Sequence, residues 1–431
     1  MNNLKVSDNK KYFTLDTKPF FWFGDTAWMM LQKLSLEELE IYYRNRKEKG
    51  FNVIQTVLVH TLPGETAPGS SLSSVVKNVR EKEYWDFVDK AVDLAEKYEL
   101  YLGLLPCWGS VVKGGILNED NVLEYADFLG KRYQDRKNII WILGGDIRGN
   151  IGTNIYNTLG KTLKKYNPER LITFHPFGRT SSSLWYQEAD WLDFNLFQSG
   201  HRRYDQASLG EWDDNKEKET FFGEDNWKYV DRDLSYEIKK PTLDGEPSYE
   251  GIPQGLHNPR NGYWEEWDVR RYAYWSVFEG AAGFTYGNNA IMQFYREGEG
   301  KGSFAVRETW LDALHHPGSG QIGHLKKLME SVDYQNGKPA DSILVCGQKE
   351  RYHRIATFAG ENYLFAYTYT GDEFTLDLTN YKHKKMEAYW MNPQDGTFSF
   401  IKTITDTDKM QFSPVARKDK ANDWVLVMKE K

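Results

Sequence analysis

The feature that most constrains this chain is an alternation of patterns. Between about residues 20 and 330, short apolar runs rich in β-branched and aromatic residues alternate with amphipathic stretches of helical period. The runs are Phe20–Gly24, Asn52–Thr56, Tyr101–Pro106, Ile139–Gly144, Leu171–His175, Phe194–Gln198, Pro241–Gly245 and Gly283–Tyr286. The helical stretches between and after them are Leu36–Lys49, Lys82–Tyr98, Asn121–Tyr133, a segment near Ile155–Tyr166, Trp227–Leu234, Trp267–Phe278 and a closing segment at Leu325–Ser331. Ser35-Leu36-Glu37-Glu38 reads as a capping box and Gly50 as the glycine that ends its helix. Such an alternation predicts an α/β protein, a (β/α)₈ TIM barrel, with strands buried on both faces. A doubly wound open sheet is the runner-up. It calls for a Gly-rich turn after the first strand, and Phe23-Gly24-Asp25-Thr26 supplies none.

Near Asn336-Gly337-Lys338-Pro339 the texture changes. From Ser342 onward, short alternating strands separated by turn residues (Gly360-Glu361-Asn362, Gly371-Asp372, Asn392-Pro393) predict a C-terminal antiparallel β-sandwich. The expected domains are residues 1–335, the catalytic barrel, and 340–431, the accessory sandwich. Gly69–Ser74 reads as a loop. So does the one G-x-G-x-x-G match, at Gly318, Gly320 and Gly323, which follows His315-His316-Pro317 instead of a strand.

Charge and composition remove several classes. Lys+Arg number 55 and Asp+Glu 62, a net −7 with no basic run, which argues against nucleic acid as a partner. No apolar run approaches the ~18 residues of a spanning helix, so no membrane partner is expected. The polar Met1–Lys11 segment holds no secretory leader, which gives a cytoplasmic location as written and a secreted one if a leader has been removed. Cys107 and Cys346 fall in different domains and form no disulfide framework. The nine histidines show no ligand spacing, so neither a metal nor a cofactor is expected.

In a barrel, chemistry collects at the C-terminal ends of the strands. In strand order those ends carry Asp25 and Trp28; Gln55 and His60; Cys107 and Trp108; Asp146 and Arg148; His175; Asn195, Gln198 and His201; Asp244, Glu246, Tyr249 and Glu250; and Tyr286, Asn288 and Asn289. Two carboxylates stand out. Asp146 and Glu246 follow strands four and seven, whose ends face each other across the mouth. Glycosidic bond hydrolysis needs such a pair, one protonated and one ionised. Each has a plainer reading. Asp146, after two glycines, also reads as a turn residue or helix cap. Glu246 also reads as a loop acid, with Asp244 and Glu250 as rivals for its role. His175 reads equally as a substrate contact or a core-edge histidine. Cys107 reads as a buried inert thiol. The 15 Trp, 27 Tyr and 23 Phe either fill a large core or line a sugar site, where Trp28 and Trp108 would be stacking platforms.

Four separated motifs resemble the apiosidase-like glycoside hydrolases. They are Phe20-Phe21-Trp22-Phe23-Gly24-Asp25-Thr26-Ala27-Trp28, Trp141-Ile142-Leu143-Gly144-Gly145-Asp146, Leu243-Asp244-Gly245-Glu246-Pro247, and Asp268-Val269-Arg270-Arg271 with Gly283-Phe284-Thr285-Tyr286. The tail resembles the collagen-binding-type sandwich often appended to these barrels. The resemblance implies a retaining mechanism, with Asp146 as acid/base and Glu246 as nucleophile. It points to apiose, a branched pentose of pectin, as one substrate.

The expectation is therefore a retaining glycoside hydrolase acting on a complex, pectin-like oligosaccharide. Asp146 and Glu246 are its catalytic residues. Asp25, Trp28, Gln55, His60, Trp108, His175, Gln198, Tyr249 and Tyr286 hold the sugar. The alternative is a non-catalytic carbohydrate-binding protein using the same aromatic mouth. A third reading makes the sandwich an attachment module, unless it packs on the barrel through Trp390 and its neighbours.

Overall fold

The computed structural model describes residues 1–2, 4–60, 82–206, 222, 224–415 and 421–431. The Gly69–Ser74 loop lies outside them. The eight barrel strands are β1 (Trp22–Thr26), β2 (Val53–Val57), β3 (Tyr101–Leu105), β4 (Ile139–Ile147), β5 (Ile172–Pro176), β6 (Asn195–Gln198), β7 (Thr242–Asp244) and β8 (Gly283–Tyr286). They hydrogen-bond in the order β5-β4-β3-β2-β1-β8-β7-β6, all parallel, and Thr180–Ser181 adds a short antiparallel strand on β6. The β5–β6 seam is tied by individual bonds: Asp193 N donates to Ile172 O (2.9 Å) and Thr173 Oγ1 to Phe194 O (2.6 Å).

Phe20 does not open β1. It ends a small antiparallel sheet (Lys5–Val6, Phe13–Leu15, Lys18–Phe20) in which Phe13 sets its ring edge-on against Phe194 and tilted to Trp22. The apolar run read as one strand is thus shared between two sheets.

The helices are α1 (Leu36–Glu48), α2 (Lys82–Lys97), α3 (Val122–Tyr133), α4 (Thr153–Tyr166), α5 (Trp227–Ser235), α6 (Glu266–Phe278) and α7 (Pro317–Glu330). The capping box on α1 is formed: Glu38 N donates to Ser35 Oγ, and Ser35 N to Glu38 Oε2. The three glycines read as a loop lie inside α7, which therefore starts eight residues earlier than expected. Pro317 opens that helix without losing a bond. A side chain at Gly318 would collide with Glu250, since its Cβ would stand 2.5 Å from Oε2.

The C-terminal part is a sandwich of two antiparallel sheets. Its larger sheet runs Lys338–Pro339, Ile355–Ala359, Tyr363–Thr368, Trp424–Glu430, Met386–Met391, Phe398–Ile404; its smaller one runs Leu344–Cys346, Phe374–Asp377, Lys409–Phe412. One hydrophobic cluster spans barrel and sandwich. Helix α6 is buried from Asp268 to Phe278, as a helix covered on every side must be. Its Tyr274 stacks on Tyr367 (4.5 Å, 5° between planes), and Phe278 lies against Phe358 and Phe365. Arg270 grips Asp423 with two 2.8 Å bonds, both side chains fully buried. Trp390 is not part of this contact. It fills the core between the sandwich sheets, beside Phe374 and Trp424. Among the described residues no helix is long and apolar enough to cross a membrane.

Candidate active site

A cavity of about 220 Å³ opens at the C-terminal ends of the strands, and each strand or the loop after it contributes to its wall. Of the residues expected there, Trp28, His60, Trp108, Asp146, Gln198, Glu246 and Tyr249 line it.

Asp146 reaches the cavity through an unusual backbone. Gly144, Gly145 and Asp146 have φ of +88°, +103° and +52° in succession, and the β4–β5 register breaks between Gly144 and Ile147. Such a bulge turns a side chain that would otherwise follow the pleat. The glycines are required on two counts: left-handed φ is costly with a side chain, and there is no room. A Cβ at Gly144 would stand 2.3 Å from His175 O, and one at Gly145 2.8 Å from Trp108 Cε3. Asp146 tolerates the same region at some strain, a cost that collects at functional sites. Its backbone N–H donates to His175 Nδ1 (3.2 Å). Its side chain is exposed to the cavity, and the desolvation it feels comes from the protein packed around that cavity. That desolvation, and then the charge of Glu246, push its carboxyl up to about 6.

Glu246 is 8 % exposed. Its Oε1 stands 3.2 Å from His201 Nε2 and its Oε2 3.0 Å from His175 Nε2. The other ring nitrogens fix the protons. His175 Nδ1 accepts the Asp146 N–H, and His201 Nδ1 accepts the Tyr249 N–H (3.4 Å). An accepting Nδ1 carries no proton, so this network places a ring proton of each histidine on Nε2, facing Glu246. Burial alone would raise the Glu246 carboxyl. The two imidazoles outweigh it and hold the group at about 2.

The aromatic wall is a connected set. Trp28 Nε1 donates to Tyr249 Oη (3.2 Å), the Trp28 ring meets Trp108 (5.1 Å), and His60 stacks on Trp108 (5.1 Å, 21°). Burial holds His60 down to about 4, so it stays neutral. Among the described residues, His60 Nδ1 and Gln198 Oε1 are buried atoms with no hydrogen-bond partner.

Four expected sugar contacts lie elsewhere. Asp25 is fully buried and pairs with Arg46 Nε and Tyr42 Oη of α1 (2.5 Å each). Tyr286 is the β8 partner of Asp25 in register, and its hydroxyl donates to Glu250 (2.5 Å). Gln55 points into the barrel beneath the cavity and donates to Gly245 O (2.6 Å) and Thr26 Oγ1 (2.9 Å). It braces the turn that carries Glu246. His175 is fully buried, with its Nε2 3.0 Å from Glu246 Oε2. The rival acids are both engaged. Asp244 accepts from Ser199 and Asn226, and burial raises it to about 7; Glu250 accepts from Tyr286 and the N–H of Gly318.

His201 stood among the strand-end residues without a role, and the structure places it beside Glu246. Phe177, Arg202 and Phe304 also line the cavity. They come from loops beyond the strand ends. Phe304 has a weak signal in Gly298-x-Gly300-x-Gly302, whose glycines all have positive φ. Among the described residues no three His, Cys, Asp or Glu side chains converge to hold a metal ion.

Residues 7–336 match the family model described as "Apiosidase-like, catalytic domain", and residues 338–429 match "Putative collagen-binding domain of a collagenase". Among solved structures, one titled "Glycoside hydrolase" is 38% identical, with a TM-score of 0.93, covering 100% of this chain and 97% of its own. A glycoside hydrolase family 5 structure from Bacteroides vulgatus ATCC 8482 is 36% identical, with a TM-score of 0.90, covering 99% and 94%. No curated protein matches the chain.

Proposed function

Since the chain belongs to the apiosidase-like family and is a glycoside hydrolase, we propose that it cleaves its glycosidic bond with retention, using Glu246 as nucleophile and Asp146 as acid/base. One observation carries this reading. Two carboxyls share one cavity, and their surroundings push them apart, Asp146 up to about 6 and Glu246 down to about 2. Paired carboxyls separated in this way divide acid and anionic roles between them.

In the first step a Glu246 oxygen attacks the anomeric carbon. The bond from that carbon to the leaving oxygen breaks, and the Asp146 proton passes to that oxygen. Glu246 is then an ester and carries no charge, which removes the second largest influence raising Asp146. Asp146 becomes a stronger acid and stays ionised long enough to act as base. It takes a proton from water, the water oxygen attacks the same carbon, and Glu246 leaves as a carboxylate. His175 and His201 receive that returning charge through Nε2–H. Trp28 and Trp108 provide the apolar wall for a sugar face, and His60 and Gln198 the hydroxyl contacts. A complex oligosaccharide, including one bearing apiose from pectin, is the substrate class in this reading.

The test is sugar release from aryl glycosides and pectic oligosaccharides, with Glu246→Gln and Asp146→Asn run in parallel. Glu246→Gln should abolish turnover. Asp146→Asn should lose about 10²–10⁴-fold, least on substrates whose leaving group needs no proton. Full activity in Glu246→Gln refutes the assignment.

A further inference from the structure

Buried carboxylates outside the catalytic pair need a reason, because an apolar side chain of similar size would cost less to bury. Glu224 is the clearest case. It is fully buried, and its bonds run to three different parts of the molecule. Oε1 accepts the backbone N–H of Tyr204 (2.9 Å) and the hydroxyl of Tyr352 (2.7 Å). Oε2 accepts Arg271 Nη2 (2.6 Å). Arg271 belongs to α6, Tyr352 to the sandwich, and Tyr204 to the loop after β6, three residues beyond His201.

The sandwich reaches that loop by more than one route. The Tyr352 ring meets the Tyr204 ring edge-on at 5.3 Å, and Arg351 sets its guanidinium over Tyr204 at 5.0 Å. Arg271 is packed against the Tyr352 and Tyr369 rings, at 5.1 and 5.3 Å. From the barrel side, His201 O accepts Gly255 N (2.7 Å) and Trp264 Nε1 (3.1 Å). The short segment from His201 to Tyr204 is therefore held at one end by the barrel and at the other by Glu224 and the sandwich. His201 Nε2 faces Glu246 Oε1 from this segment.

We propose that Tyr352 of the C-terminal sandwich is a positioning residue for the active site, acting through Glu224 and the Tyr204 backbone to set the distance from His201 to Glu246. The proposal rests on the reading of Glu246 as the ionised catalytic carboxylate. It makes the sandwich part of the support of the site and not a separate attachment module. The groups that face Glu246 are His175, His201, Asp146 and Tyr249, and of these only His201 lies on the segment the sandwich holds.

The experiment uses the full chain with Tyr352→Phe, which keeps the ring contacts to Tyr204, Tyr369 and Arg271 and removes one hydroxyl. Three quantities are read: kcat/KM at its plateau, the pH of the acidic limb of its profile, and the unfolding temperature. The expected result is a plateau lowered about 3–10-fold and an acidic limb raised by roughly half a pH unit, with little change in unfolding temperature. Glu224→Gln should move the same limb further. In a His201→Ala background, Tyr352→Phe should move the limb no further, because the path is already cut. An unchanged plateau and limb in Tyr352→Phe overturn the proposal, and so does an equal further shift in the His201→Ala background. The Glu246 carboxyl can also be titrated by ¹³C NMR without turnover. A wild type with no glycosidase activity would thus sink the functional reading alone, and an unmoved carboxyl titration would sink the positioning role.

Discussion

Removing the histidines that face Glu246 should move the acidic edge of the activity profile by an amount the site defines. The ordinary value for this carboxyl is 4.5, and in place it is held at about 2. That gap corresponds to about 3 kcal/mol in favour of the anion, at about 1.4 kcal/mol per pH unit. The two imidazoles supply all of it and also overcome burial, which acts the other way. Their sum therefore exceeds that gap by what burial takes back. An even division of the gap predicts that His201→Ala raises the acidic limb of kcat/KM by about one pH unit. In the His175→Ala, His201→Ala double variant, burial is unopposed and the limb should pass 4.5. The alkaline limb, set by Asp146 at about 6, should then stand close to it, leaving a narrow bell of reduced height. The assay is kcat/KM from pH 2.5 to 8, within the range over which each variant stays folded. An acidic limb that stays near its wild-type position in the double variant would refute the reasoning.

Three other outcomes follow from the same structure. Gly145→Ala puts a side chain at φ +103° against Trp108, so it should cost about 1–3 kcal/mol by thermal unfolding and also lower kcat by displacing Asp146. Arg270→Met leaves Asp423 buried without its partner and should destabilise by about 3–5 kcal/mol, much of it recovered when Asp423→Asn is added; equal stability of the single variant and wild type would contradict the buried pair. Burial raises Asp244 to about 7, Asp268 to about 6 and Glu279 to about 7, so their contribution is fully present near pH 4 and is lost as pH climbs through 6–7. Glu246, held low, contributes above 4.5 and loses that contribution as pH falls toward 2. The unfolding temperature should peak near pH 4–5 and fall by pH 8; a rise from pH 5 to 8 would contradict these assignments.

The barrel was legible because its strands are short apolar runs, all but the fifth followed by a helix signal, and Ser35 and Glu38 marked a helix start to the residue. The candidate site was legible where chemistry and strand end coincided, at Asp146 and Glu246, which share the cavity. What strand ends do not reveal is the parity of the pleat. Asp25 and Tyr286 sit opposite each other in register and both turn outward, toward α1 and α7. They look like rim residues in the sequence and are bolts between barrel and helix layer in the structure. His201 and Phe304 were hard to place for another reason. They lie on loops whose course is fixed by distant partners, such as Trp264 for His201 and Asn289, which holds Phe304 O. α7 was read short because glycine usually argues against helix, and the close approach of Glu250 to Gly318 is a tertiary fact.

The way α6 is covered has a consequence for synthesis. A ribosome completes β8 and α7 before it makes most of the strands that cover the outer face of α6. The strand that centres the covering sheet, Trp424–Glu430, is paired on both sides and is the last described strand to emerge. Until then the sheet over Tyr274 and Phe278 lacks its central strand, while Asp146 and Glu246 are already translated. A nascent chain stopped before residue 423 keeps Asp146 and Glu246 and lacks the sheet's centre and the Asp423 partner of Arg270. Completion of the tail is therefore the step that closes the sheet over α6 and supplies the buried partner of Arg270.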